Sequence, residues 1–358
     1  MGKRRSERAA EPVEAELPLG KYLASTEKRV RDRAIRSLSA FLLKNAQESG
    51  LSLPPTELAK LWKGFWMSDK PLVQQQLAQE LAHLVLMVSG IQDDDESQAK
   101  PAASPLDDTT RALSALDFYQ GFWTTMQAEW HGVDKFRSVD KYYMLMRRFL
   151  FASFRLLLLN NCEDVLIKRF VQIMRGTDGP LSSNNVQVPD SLTYHVCDIY
   201  LDELERAASQ LDPVPAIPVL DLLTPFMDLA ATSRSKRIYE RVMTSVLTPF
   251  LDACAARIPS SEQPRKRRKV HQDAATDVDL AYPHVLAHST LETPAHGAHA
   301  TDRLTPATSE DPAALYRTLK QEALRRIVAA ASSPDTYVPS RRKLYALWSE
   351  SQETEDDE

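Results

Sequence analysis

Apolar residues recur at intervals of three and four along most of the chain, so the pattern predicts α-helices throughout and no convincing strand. Leu58, Leu61, Trp62 and Phe65 share one face of a helix that Thr56 is placed to cap after Pro54 and Pro55. Asp69 is placed to cap the next helix, Pro71 falls in its first turn where a missing N–H goes unused, and Gly90 stops it. Leu72, Leu77, Leu81, Leu84, Val85 and Val88 form its apolar stripe. These two helices make a hairpin around a tight corner that carries Trp66 and Lys70.

The same reading extends in both directions. Upstream, Val30, Ala34, Leu38, Phe41 and Leu42 make a core stripe, with Arg29, Arg33 and Arg36 together on the opposite face. Downstream, Ala112, Leu116, Tyr119, Trp123, Met126 and Trp130 step by fours and threes up to Gly132. A helix over 139–160 turns apolar nearly all round in its second half, which predicts a central, buried position. Further helices fit 163–174, 190–208, 217–230, 235–257 and 314–331, with a short one over 341–348. Helical pairs in series predict an all-α, HEAT-like stack of antiparallel hairpins, each burying its apolar face on its neighbours.

Breaks in the period divide the chain. Residues 1–21 read as a disordered arm, 22–258 as the main helical domain, and 92–110 as an acidic linker within it. Residues 259–311 read as a Pro-, Ala-, Thr- and His-rich linker, 312–348 as a C-terminal helical segment and 349–358 as an acidic, disordered tail. The 358 residues, 43% of them hydrophobic, suffice for a substantial core. The longest apolar run, 149–159, is interrupted by Arg155 and too short to span a bilayer, and the first residues lack a signal-peptide core, so a soluble, unsecreted protein is expected. Cys162, Cys197 and Cys254 have no metal-ligand spacing and fit a reducing compartment.

The net charge of −5 hides segregation of basic and acidic blocks. Arg265, Lys266, Arg267, Arg268 and Lys269 follow Pro264 in the linker and read as a nuclear import signal for a carrier's acidic groove, beside the plainer reading of a solvated run. The guanidinium forks of Arg29, Arg33 and Arg36 match phosphate oxygens, although an ordinary solvated face explains them too. Lys135, Arg137, Lys141, Arg147 and Arg148 surround Tyr142 and Tyr143, where unpaired bases could stack; tyrosines at helical spacing are more often core. Most of the tryptophans have core spacing. Trp66 lies off its stripe and beside the corner, where an exposed aromatic would anchor a partner.

His284, His288, His296 and His299 have ligand-like spacing but sit without cysteine in the linker, so they predict no metal site. Asp134 with Asp140, and Glu129 with His131, read as helix caps and solvated loop groups rather than acid/base pairs. The chain has no phosphate-binding glycine loop, nucleophile motif or zinc-finger spacing, and nothing calls for a cofactor or small-molecule substrate.

Four blocks in order carry a resemblance: EKRVRDRAIRSLSAFL at 27–42, LWKGFWMSDKPLVQQQLAQEL at 61–81, FYQGFWTTMQAEWHGVDKFRSVDKYYMLMRRFL at 118–150 and YHVCDIYLDEL at 194–204. Together they resemble the nucleolar ribosomal RNA processing protein 1 family over roughly 22–258. The resemblance implies a non-enzymatic assembly factor of nucleolar pre-ribosomes, needed for large-subunit rRNA maturation and contacting pre-ribosomal proteins, with direct contact to pre-rRNA open. The residues alone indicate only a nuclear, helical, partner-binding protein. A helical-repeat nuclear transport carrier fits the hairpins equally, and a nuclease lacks a credible carboxylate cluster.

Overall fold

Helix starts and stops follow local chemistry. Pro71 opens the helix Pro71–Ser89 at its first turn, and Gly90 closes it at φ 82°, its amide reaching the Met87 carbonyl at 3.0 Å. Ser235 Oγ accepts from Ile238 N, and the Asp311 carboxylate accepts from Ala314 N at 3.1 Å, each ahead of a helix it caps.

The computed structural model describes residues 22–23, 25–49, 65–66, 68–91, 107–133, 139–183, 185, 187–259, 280–291 and 305–356. Its helices are α1 Lys28–Ser49, α2 Pro71–Ser89, α3 Asp108–Glu129, α4 Val139–Leu159, α5 Asp164–Arg175, α6 Asp190–Ala208, α7 Val219–Thr232, α8 Lys236–Val242, α9 Thr248–Ala255, α10 Pro283–Ala287, α11 Pro312–Ser332 and α12 Val338–Asp356. A π turn, Met243–Leu247, joins α8 to α9. Among the described residues the only β pairing is an isolated bridge from Ile217 to Ser289. The fold is all-α.

Helices pack on the next but one in sequence. One layer runs α2, α4, α6, α8; the other runs α3, α5, α7 and continues through α11 and α12, which pack on α7. α1 lies against α2 at the end of the first layer. An aromatic spine joins the layers: Phe122 stacks on Phe149 at 3.8 Å, Tyr119 on Phe170 at 5.8 Å, and Tyr200 bridges Phe154 and Phe226 edge-on at 5.0 and 4.6 Å. The half-apolar helix over 139–160 is α4, buried in the middle as its pattern predicts.

Several expectations need correction. Asp69 does not cap α2; Lys70 occupies the N-cap position and makes no side-chain cap bond. Leu72 is 79% exposed because it precedes Leu77 by five residues, about 140° around a helix from the stripe that begins there. Phe41 is 41% exposed on α1, whose one principal neighbour among the described residues is α2. α3 starts at Asp108, inside the expected acidic linker. In the 259–311 interval, residues 280–291 fold back: Glu205 of α6 accepts from His284 N and Val285 N at 3.0 and 2.9 Å and so caps α10, while Arg257 Nη2 donates to the Ala281 carbonyl at 2.8 Å. α12 runs on through the expected acidic tail to Asp356, since no Gly or Pro follows Pro339 of its first turn and Leu344 is buried. The 1–21 arm, most of the acidic linker, the basic signal and the last two residues lie outside the described residues.

Candidate partner and nucleic-acid surfaces

α1 presents Arg29, Arg33 and Arg36 outward, all exposed, opposite buried Ala34, Ile35 and Leu38. Arg31 breaks the uniform look of this basic run. Two residues on from Arg29, it points about 200° around the helix and is buried, donating to the carbonyls of Ser25 at 2.9 Å and Thr26 at 3.3 Å and to Gln76 Oε1 at 2.8 Å. It fastens α1 to α2. Arg29, Arg33 and Arg36 remain outward, with Arg36 Nε donating to the Asp32 carbonyl at 3.2 Å.

At the corner before α2, Lys141 of α4 is 8% exposed, and its ammonium donates to the carbonyls of Trp66 at 2.8 Å, Ser68 at 3.2 Å and Phe65 at 3.3 Å. Burial pushes its pKa down, against the pull of Asp69. Lys141 is therefore spent on ordering the corner and does not face a partner, contrary to the sequence expectation. Tyr142 is fully buried and Tyr143 stacks on His195 at 4.2 Å, so Tyr142 offers no ring to a base. Ser68 Oγ donates to the Phe65 carbonyl at 2.6 Å and Gln74 Nε2 to the Ser68 carbonyl at 2.8 Å. On this braced corner Trp66 is 53% exposed, with exposed Lys70 and Leu72 beside it. Lys135 and Arg137 lie outside the described residues.

Arg147 is partly committed. Its Nε lies 3.3 Å from Oε1 of Glu203, a buried carboxylate that Arg206 approaches from the other side at 2.9 Å. That second approach lacks hydrogen-bond alignment, so it acts through charge rather than a directed bond. Burial raises the Glu203 pKa, and the nearby Arg206, Arg147 and Arg148 oppose the rise. Arg206 also lies 4.0 Å over the Phe151 ring. Arg148 is half-buried beside this cluster.

Two clefts that the sequence pattern did not reveal open around α8. The larger, about 1000 Å³, is walled by three turns and carries Ser182, Ser183, Asn185, Thr193, Ser235 and Tyr337. The smaller, about 320 Å³, lies among Tyr194, Arg237, Glu240, Arg241 and Thr244. The available signal was three short Ser/Thr-rich turns, SSNN at 182–185, TSRS at 232–235 and SSPDT at 332–336, which nothing in the sequence places together.

No cluster of three metal-ligating groups occurs among the described residues. His284 is held by Glu205, its Nδ1 2.6 Å from the carboxylate, and His296 and His299 lie outside the described residues. All three cysteines are buried, and burial pushes the Cys254 thiol up to about 12. No helix among the described residues is long and apolar enough to cross a membrane.

Layered helical pairs with their unspent chemistry on outer faces and turns define an all-α protein whose candidate sites are surfaces. The sequence matches the family described as Nucleolar protein, Nop52 over residues 14–318. It is 32% identical over 261 residues to ribosomal RNA processing protein 1 homolog B of Homo sapiens, covering 72% of this chain and 31% of the relative. It is 29% identical to the homolog A of Mus musculus, covering 67% and 44%, and 30% identical to the homolog of Drosophila melanogaster, covering 66% and 31%. The chain belongs to the Nop52 family of nucleolar proteins. The matched region spans less than half the length of each of these relatives.

Proposed function

We propose that this protein is a non-enzymatic, HEAT-like scaffold of nucleolar pre-ribosomes, required for rRNA processing and chiefly for the large subunit. The observation that carries the reading is family membership over most of the chain, together with relatives whose names state ribosomal RNA processing. A fold of stacked helices with outward cations and a braced, exposed Trp66 supports contact with other macromolecules over catalysis. Arg29, Arg33 and Arg36 are the residues assigned to pre-rRNA phosphate, Trp66 with Lys70 to a protein partner, and Arg265 to Lys269 to an import receptor. Depletion of the protein should cause precursors of large-subunit rRNA to accumulate while small-subunit rRNA is largely spared, as read by RNA blots. Equal loss of both subunits, or no precursor build-up, would remove the large-subunit assignment.

A further inference from the structure

The reading above leaves the α8 surface unused. Arg237 and Arg241, four apart, form a stripe along one face of α8, and Arg234 precedes it in the turn before the helix; all three are exposed. Arg241 is engaged by Asp198 at 3.1 Å, and Lys236 by Glu240 at 3.4 Å. Arg234 and Arg237 have no carboxylate at ion-pair distance among the described residues. The stripe runs between the two clefts: Arg234 lines the larger, while Arg237 and Arg241 line the smaller.

Each cleft also holds a ring. Tyr337 stands in the larger at 39% exposure, and Tyr194 in the smaller, half-buried, with the Arg241 guanidinium 5.6 Å from its centroid. Beside apolar Val188, Ile238, Pro334 and Val338, the larger cleft carries hydroxyl groups and the Asn185 amide, which both donate and accept and so suit base edges and ribose 2′-hydroxyls. Unpaired guanidinium forks, aromatic faces and adaptable polar walls together are the chemistry that holds an unpaired nucleotide strand. Asp190 and Asp335 line the larger cleft and Glu240 the smaller. These carboxylates disfavour a dense polyanion such as a duplex laid along the whole surface, and leave the arginine stripe as the crossing point for a single strand.

We propose that α8 and its two flanking clefts bind single-stranded RNA, with phosphates on Arg234 and Arg237 and an unstacked base against each of Tyr337 and Tyr194. The biological setting rests on the pre-ribosomal reading; the site itself rests on this geometry.

Fluorescence anisotropy of the full chain with a fluorescein-labelled oligoadenylate, over a salt series, tests the site. Arg234→Glu with Arg237→Glu should weaken binding at least about tenfold at low salt and make the log–log salt slope shallower by about 1.4, two single-strand phosphate contacts. Tyr337→Ala should weaken binding about tenfold with the slope unchanged, as loss of one stacked base requires. All three positions are exposed, and an unchanged circular dichroism melt will confirm folding. Wild-type affinity and slope in the double arginine variant would overturn the proposal, as would complete loss of binding in Arg29→Glu, Arg33→Glu, Arg36→Glu while the α8 variant binds normally. Gradient sedimentation separates the two ideas. A wild-type chain absent from large-subunit precursors sinks the scaffold reading and leaves the titration to judge the cleft; a co-sedimenting chain whose α8 variant titrates normally overturns the cleft alone.

Discussion

Lys141 shows how one side chain decides what its neighbours can do. Its ammonium gathers three carbonyls at the end of the turn that precedes α2, the place where a helix C-terminus concentrates negative potential. Lys141→Met keeps the length and apolar stem but abandons those acceptors in a buried site. The expected cost is about 2 kcal/mol, in the range for buried polar groups left unsatisfied, measured as a lower denaturant midpoint. Because Trp66 rides on the same corner, its environment should change as well; a tryptophan emission spectrum identical to wild type would show that the corner does not depend on the lysine. The sequence held a hint of this. Lys141 sits four residues before Leu145 and eight before Phe149, on the apolar side of α4, where a solvated cation has no business. Its basic neighbours drew it into a surface cluster instead.

Among the elements, α11 is held to α7 by charge as well as packing. Glu322 accepts from Arg325 Nε at 2.6 Å and Arg326 Nε at 3.0 Å, and Arg326 reaches on to Asp221 of α7 at 2.6 Å. These arginines depress the Glu322 pKa from 4.5 to about 2. A depressed carboxylate stabilises the fold above its unfolded value and loses that contribution as pH falls toward its folded one. Stability of Glu322→Gln should therefore be slightly below wild type at neutral pH, slight because the arginines are partly solvated, and should converge with it as pH drops from about 4.5 to about 2. A constant gap across an acid series of thermal melts would refute the linkage. Helices α3 to α7 were legible in the sequence because each is at least 12 residues long with a clear period. α10 was not: it has five residues, no period, and a cap supplied by Glu205 from 79 positions away. The α8 clefts escaped because their walls come from segments far apart in sequence: three turns around the larger, and α6 with α8 and the π turn around the smaller. Arg29, Arg33 and Arg36 were placed correctly on an outward face because α1 is long enough for its opposite stripe to fix the orientation.

For the whole molecule, reversing Arg29, Arg33 and Arg36 to glutamate should leave the melting curve intact, since none of the three contributes to the core, while weakening attachment to pre-ribosomes. If phosphate is the partner, the salt dependence becomes shallower by about 0.7 to 0.9 per lost contact; co-sedimentation equal to wild type at every salt would mark the face as merely solvated. Replacing Arg265, Lys266, Arg267, Arg268 and Lys269 with alanine should shift a fluorescent fusion toward the cytoplasm with no change in helicity, and a fusion that stays nucleolar would point to another signal. That basic run lies between two points that the fold brings together, for Arg257 bonds directly to the carbonyls of Leu280 and Ala281. The described residues on either side of the interval 260–279 therefore meet at one spot. Joined ends make a sequence interval a natural place for insertion. The entropy of closing a flexible loop grows by only about 0.6 kcal/mol per doubling of its length, so a second copy of the basic signal inserted there should leave the thermal melt of the helices unchanged, and a lowered melt would show that the interval packs on the body.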